Sequence, residues 1–140
     1  MKISFSYSSD QYKIIDEVSI VNWVKKVISN ENKRLGTISY NFIGEEEILK
    51  INKDHLNHDF FTDIITFDSS FINIINGDIL ISPDTVKTNS QIFNVSHLEE
   101  LHRVIIHGIM HLCGYNDNTS DEKSKMRSLE DKYLSYLEKL

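Results

Sequence analysis

The chain has 140 residues, a length that favours one domain spanning 1–140, and at that size folding buries roughly two-thirds of the surface the unfolded chain exposes. Its 15 basic and 21 acidic residues leave a net charge of −6, which argues against a general nucleic-acid binder, and no DNA partner is expected. One cysteine, no signal-like N-terminus and no apolar run near the roughly 20 residues of a membrane span predict a reducing, cytoplasmic setting without a membrane partner.

Residues 2–7 alternate as a first strand. From Ser19 to about Lys33 an amphipathic helix is predicted on Ile20, Val21, Trp23, Val24, Val27 and Ile28, ended by Gly36. Thr37–Ile43 reads as a strand, and Glu45–Ile51 as a short helix with acids at its positive end. Thr62–Phe67 and Gly77–Ser82 read as strands. Residues 71–75 suggest another, with Asn76-Gly77 as a hairpin signal. Ser82-Pro83 starts a helix to about Phe93. Ser96 with Glu99 caps the next, which runs to Gly114. Thr119 with Glu122 opens a last helix whose apolar face holds Met126, Leu129, Tyr133, Leu134 and Leu137. The order predicts an α+β fold, a small mixed β-sheet covered by helices.

The fourth of these helices carries the chemistry. His107 and His111 are four residues apart, one turn along one helical face, and Asp117 follows just beyond the terminating glycine. The pattern H-x3-H-x5-D supplies three ligands, His107, His111 and Asp117, to one metal ion and leaves a fourth position open, as in catalytic zinc sites. The helix is otherwise apolar, so two imidazoles on it need polar partners. The carboxylate suits Zn²⁺ and also Mn²⁺ or Fe²⁺. Asp121 is a backup ligand. His97 and His102 read as surface. Cys113 reads as a small buried hydrophobe rather than a thiolate ligand.

An open zinc position lowers the pKa of bound water toward about 7 and polarises a carbonyl or phosphoryl oxygen, so hydrolysis is the expected reaction class. Zinc peptidases of the H-E-x-x-H type place glutamate directly after the first histidine. Gly108 occupies that position, which argues against peptide cleavage and leaves phosphodiester cleavage favoured. Gly108 costs roughly 1 kcal/mol relative to alanine mid-helix, for which close backbone approach, substrate access and tight packing are alternative reasons.

Residues 107–117 (HGIMHLCGYND) resemble the H-G-x-L-H-L-x-G-Y-D-H signature of the YbeY family. Asn52–Phe67, ending in Thr62-Asp63-Ile64-Ile65-Thr66-Phe67, is similar to that family's L-N-x2-Y-R-x2-D-x-P-T-D-V-L-S-F block, and Gly77–Ser82 to its G-D-I-x-I-S strand. Glu100, Leu101 and Met126 also fit. The resemblance implies a metal-dependent, single-strand-preferring endoribonuclease with one Zn²⁺. It further implies action on small-subunit rRNA near its 3′ end and in ribosome quality control, with rRNA and the small ribosomal subunit as partners. The sequence departs from the pattern in three places. Asp117 replaces the usual third histidine, which should make bound water less acidic. Leu56 stands where the family has an arginine suited to phosphate contact, and Phe61 replaces proline. His55, His58, Lys50 and Lys53 are candidates to compensate for Leu56. Thr62 and Asp63 match the family, with a local turn pair as the alternative reading. The competing functions are a non-catalytic ribosome assembly factor with a structural metal and, behind it, a metallopeptidase.

Overall fold

The computed structural model describes residues 2–58 and 61–139; residues 59 and 60, inside the 52–67 block, lie outside the described residues. The elements are β1 (Lys2–Tyr7), α1 (Glu17–Asn30), β2 (Arg34–Phe42), α2 (Glu45–Leu56), β3 (Ile64–Asp68), β4 (Ile74–Ile81), α3 (Pro83–Phe93), α4 (His97–Leu112) and α5 (Ser120–Glu138), with a short 3-10 turn between β1 and α1. Four strands form one sheet in the order β1-β2-β4-β3. β1, β2 and β4 are parallel, and β3 runs antiparallel to β4, so the sheet is mixed and the predicted α+β class holds.

The helix starts follow the capping residues. Asp16 accepts from the Ser19 N–H at α1, Ser82 from Thr85 at α3 and Ser96 from Glu99 at α4. Thr119 and Glu122 form both halves of a capping box at α5. The helix ends depart from expectation. α1 stops at Asn30, and Asn32 takes a left-handed conformation (φ 59°), so Gly36 lies inside β2. Asn76-Gly77 is likewise no turn but part of β4; the β3–β4 connection spans residues 69–73, with Ile72 at φ 56° and a Phe71–Ile74 bridge.

These two glycines answer to close approach. The Asn76 Oδ1 accepts from the Thr37 N–H at 2.8 Å, where β2 bulges, and a Cβ on Gly36 would lie 2.1 Å from that oxygen. A Cβ on Gly77 would lie 2.6 Å from the Phe67 carbonyl and 2.8 Å from Leu112 on α4.

The main core joins Ile20, Trp23, Val24, Val27 and Ile28 of α1 to the inner residues of β2 and β4, to α4 and to Met126, Leu129 and Tyr133 of α5. Two polar atoms inside it are satisfied by backbone. Trp23 Nε1 donates to the Tyr133 carbonyl (2.7 Å), and Tyr40 Oη donates to the Ile105 carbonyl (3.2 Å). α4 packs against α1, α3, α5, β3 and β4. It is enclosed on most sides, which fixes its C-terminal turn in space. Among the described residues, no helix is long and apolar enough to cross a membrane.

Candidate metal centre

The site is made by the way α4 ends. Gly114, at φ 102°, takes the left-handed conformation that a side chain disfavours. The Gly114 N–H then bonds the His111 carbonyl and the Tyr115 N–H the Met110 carbonyl, each at 3.0 Å, a Schellman closure. The reversed chain sets the Tyr115 carbonyl 2.9 Å from His111 Nδ1 and brings Asp117 back over the helix.

Three atoms converge there. His107 Nε2 and His111 Nε2 are 2.9 Å apart, and Asp117 Oδ2 lies 3.3 Å from the first and 3.5 Å from the second. Ligands bound to zinc at about 2.0–2.1 Å in a tetrahedron lie about 3.3 Å from one another. The far nitrogens decide the tautomers. His107 Nδ1 faces Glu130 Oε2 at 2.7 Å, and His111 Nδ1 faces the Tyr115 carbonyl. Both partners only accept, so both Nδ1 atoms carry a ring proton, and in the neutral rings both Nε2 atoms present lone pairs. Two lone pairs and a carboxylate oxygen this close repel unless a cation lies between them. The donor set therefore fits a divalent ion, and among the described residues His107, His111 and Asp117 form the group able to hold one.

Glu130 is the residue that sequence reasoning missed. It is only 5% exposed and interrupts the apolar face of α5 between Leu129 and Tyr133. An acid within such a stripe is the one signal that could have found it. Arg103 holds it from the other side, Nη1 to Glu130 Oε1 at 3.0 Å and Nη2 to Asp131 Oδ1 at 2.8 Å. A carboxylate behind a ligating imidazole fixes its orientation and raises its basicity. Burial alone would lower the His107 pKa. The hydrogen bond and charge of Glu130, then Asp117 and Asp63, outweigh it and leave His107 above its ordinary value.

The other candidates fall as follows. His102 is half-buried, edge-on to Trp23 at 6.0 Å, and burial lowers its pKa, which corrects its surface assignment. His97 is also half-buried, with Nε2 3.1 Å from the Pro83 carbonyl. α1 and α3 cover faces of α4 that local pattern leaves open. Burial first, then Glu31, pushes the Cys113 thiol up to about 12, so it is no thiolate ligand. Asp121 is exposed in the first turn of α5, outside the His–His–Asp group. Gly108 faces the sheet, where a Cβ would meet Ile79 at 3.0 Å and Ile64 at 3.1 Å. Tight packing explains it, and a side chain there would enter the sheet rather than the metal site.

These three side chains, His107, His111 and Asp117, open onto a cleft of about 510 Å³ whose described lining includes Asn52, Leu56, His58, Thr62, Asp63, Thr66 and Asp68. Leu56 is 41% exposed on that wall. Lys50, Lys53 and His55 are not among the described lining residues, and His55 instead packs edge-on to Phe67. Thr62 Oγ1 donates locally to the Ile64 carbonyl at 3.3 Å, as a turn pair would. Asp63 reaches further. Burial raises its pKa, opposed by His107, by backbone N–H groups and by the Asn89 side chain. A second recess of about 270 Å³, on the α5 side, is lined by Asp63, Glu100, Arg103, His107, Asp117, Arg127 and Glu130. The buried Glu100 there is raised by desolvation and then by Asp63, against Arg103 and Arg127.

An α+β frame whose most buried helix and closing turn present two oriented imidazoles and a carboxylate to an open cleft defines a protein with a candidate one-ion centre of the hydrolytic type. The comparisons narrow this to a family. The family model described as Endoribonuclease YbeY matches residues 5–138, and the chain belongs to that family. It is 44% identical over 137 residues to a protein of Parabacteroides distasonis named Endoribonuclease YbeY, covering 98% of this chain and 96% of that protein. A Flavobacterium psychrophilum protein of the same name is 47% identical over 132 residues, covering 94% of each. The fold is also that of a Thermotoga maritima protein solved in solution, with a TM-score of 0.70 at 24% identity, covering 97% of this chain and 89% of that one.

Proposed function

We propose that this chain is a zinc-dependent endoribonuclease that cleaves single-stranded RNA. We place its action in late rRNA processing, at the 3′ end of small-subunit rRNA, and in ribosome quality control. Its partners on this reading are rRNA and the small ribosomal subunit, its setting is the cytoplasm, and residues 1–140 work as one domain. The observation that carries the reading is the convergence of His107 Nε2, His111 Nε2 and Asp117 Oδ2 at the floor of an open cleft. The names of its relatives support the substrate class.

His107, His111 and Asp117 would hold one Zn²⁺. When bound, the ion supplies Lewis acidity toward a phosphoryl oxygen and acidifies coordinated water. Asp117 brings a negative charge that a neutral histidine would not, which moderates that acidity. Glu130, braced by Arg103, keeps His107 Nδ1 protonated and aims Nε2 at the ion. The Tyr115 carbonyl does the same for His111. The cleft, about 510 Å³, leaves room for a nucleotide.

Purified protein incubated with single-stranded rRNA fragments should cleave them, and His111→Ala should not. Equal cleavage by both would exclude this site as the source of the activity. The assembly-factor reading is favoured by Leu56 on the cleft wall, where an arginine would grip phosphate. Rescue of a deletion strain by His111→Ala would decide for it. Gly108 buried against Ile64 and Ile79 speaks against the peptidase.

A further inference from the structure

The described lining of the 510 Å³ cleft contains aspartates, threonines and Leu56 but no lysine or arginine. RNA is a polyanion, and a protein of net charge −6 repels it at long range. Positive charge beyond that of a bound ion therefore has to come from another side of the site. Three basic side chains line the recesses that also contain His107 and Asp117: Arg103, Lys123 and Arg127. Arg103 is neutralised by Glu130 and Asp131. Lys123 and Arg127 are exposed, and among the described residues neither makes an ion pair.

Their spacing makes them a pair. At i and i+4 of α5 they lie on one helical face, about 6 Å apart along the axis. Both border the recess of about 160 Å³ that touches His107 and Asp117. Arg127 also borders the recess holding Asp63 and Glu100, where its charge opposes their negative field.

We infer that Lys123 and Arg127 form the phosphate-binding ridge of this site, holding the backbone of a single RNA strand along α5 as it crosses the ion. This rests on the endoribonuclease reading above. A nucleoside then faces the Leu56 wall while neighbouring phosphates lie on α5. The guanidinium of Arg127 takes two phosphate oxygens, and the Lys123 ammonium acts as a point charge beside it. The contacts are to backbone, so they set affinity and register but not base preference.

The test uses the zinc-loaded protein and a short single-stranded oligoribonucleotide, read by cleavage kinetics and by binding across a salt series. Lys123→Gln with Arg127→Gln should raise KM about tenfold with kcat little changed. It should also flatten log Kd against log salt by roughly 1.4, at about 0.7 per lost contact to a single strand. Zinc content should match the parent, and Lys25→Gln with Lys26→Gln, on α1, should leave KM alone. A double α5 variant with parental KM and salt slope overturns the assignment while leaving the nuclease reading standing. So does an equal loss in the α1 variant, which would report net charge alone. Parent protein that neither binds nor cleaves the RNA overturns both.

Discussion

The two walls beside the candidate metal centre are built on opposite plans. The α4–α5 wall is fixed atom by atom: each candidate-ligand imidazole has its Nδ1 bonded, Glu130 is bonded from both sides, and the Gly114 and Tyr115 N–H groups of the closing turn are both bonded. The α2–β3 wall carries Leu56, two threonines and acids, and its described lining has no arginine or lysine. The contrast teaches that holding an ion and holding a polyanion are separate problems. The first needs convergent lone pairs with fixed backing. The second needs exposed cations, and among the described lining residues these sit on the α5 side.

The comparison is broken most completely by removing a ligand. His107→Ala should abolish metal uptake and RNA cleavage together, checked by metal analysis and a cleavage assay. Added zinc should raise the Tm of the parent and not of the variant. Glu130→Gln comes next. The amide can still accept from Nδ1 but loses the charge, so metal binding should weaken about 10–100-fold, measured by competition with a chromophoric chelator. Unchanged affinity would mean that Glu130 only packs α5. Leu56→Arg sharpens the contrast from the other side. A cation on the bare wall should lower KM severalfold and steepen the salt slope by about 0.7, with metal affinity unaltered. If KM does not move, the strand never touches that wall.

The smallest effect separates two histidines on α4. In metal-free protein, His102 should titrate below about 6.5 and His107 above it, resolved by NMR. His102 is depressed by burial, so its protonation favours unfolding. Its contribution to stability is full above the unfolded value and is lost as pH falls from there through the folded one. His107 is raised, so its contribution is present below the unfolded value and is lost as pH rises through the folded one. His102→Phe should flatten the acid side of a urea-midpoint profile.

The convergence of His107, His111 and Asp117 was legible because it depends on one helix and the turn ending it: H-x3-H spacing, a terminating glycine, then Asp117. Element order was legible for the same reason, since caps such as Ser82, Ser96 and Thr119 act within four residues. Glu130 was not, because its partner His107 lies 23 residues away on another helix. Asn76-Gly77 reads as a turn from local preference. Only β2 and α4, packed against it, show why a strand needs an amide and a bare Cα there. The histidines at 97 and 102 were misplaced because helical periodicity tells which residues share a face, not how many neighbours cover the helix.

The link between Tyr115 and Glu31 carries a kinetic consequence. Tyr115 Oη donates to Glu31 Oε1 at 2.7 Å, and Tyr133 Oη donates to the other oxygen of that carboxylate. The segment that aims His111 is thus tethered to the far end of α1, beyond the centre itself. The backbone that carries the candidate ligands is thus set by the fold, and a bound ion has only to hold the three donor atoms together. Loading and unloading of a divalent ion should then proceed without refolding of the loop, as an exchange whose rate follows ligand lability.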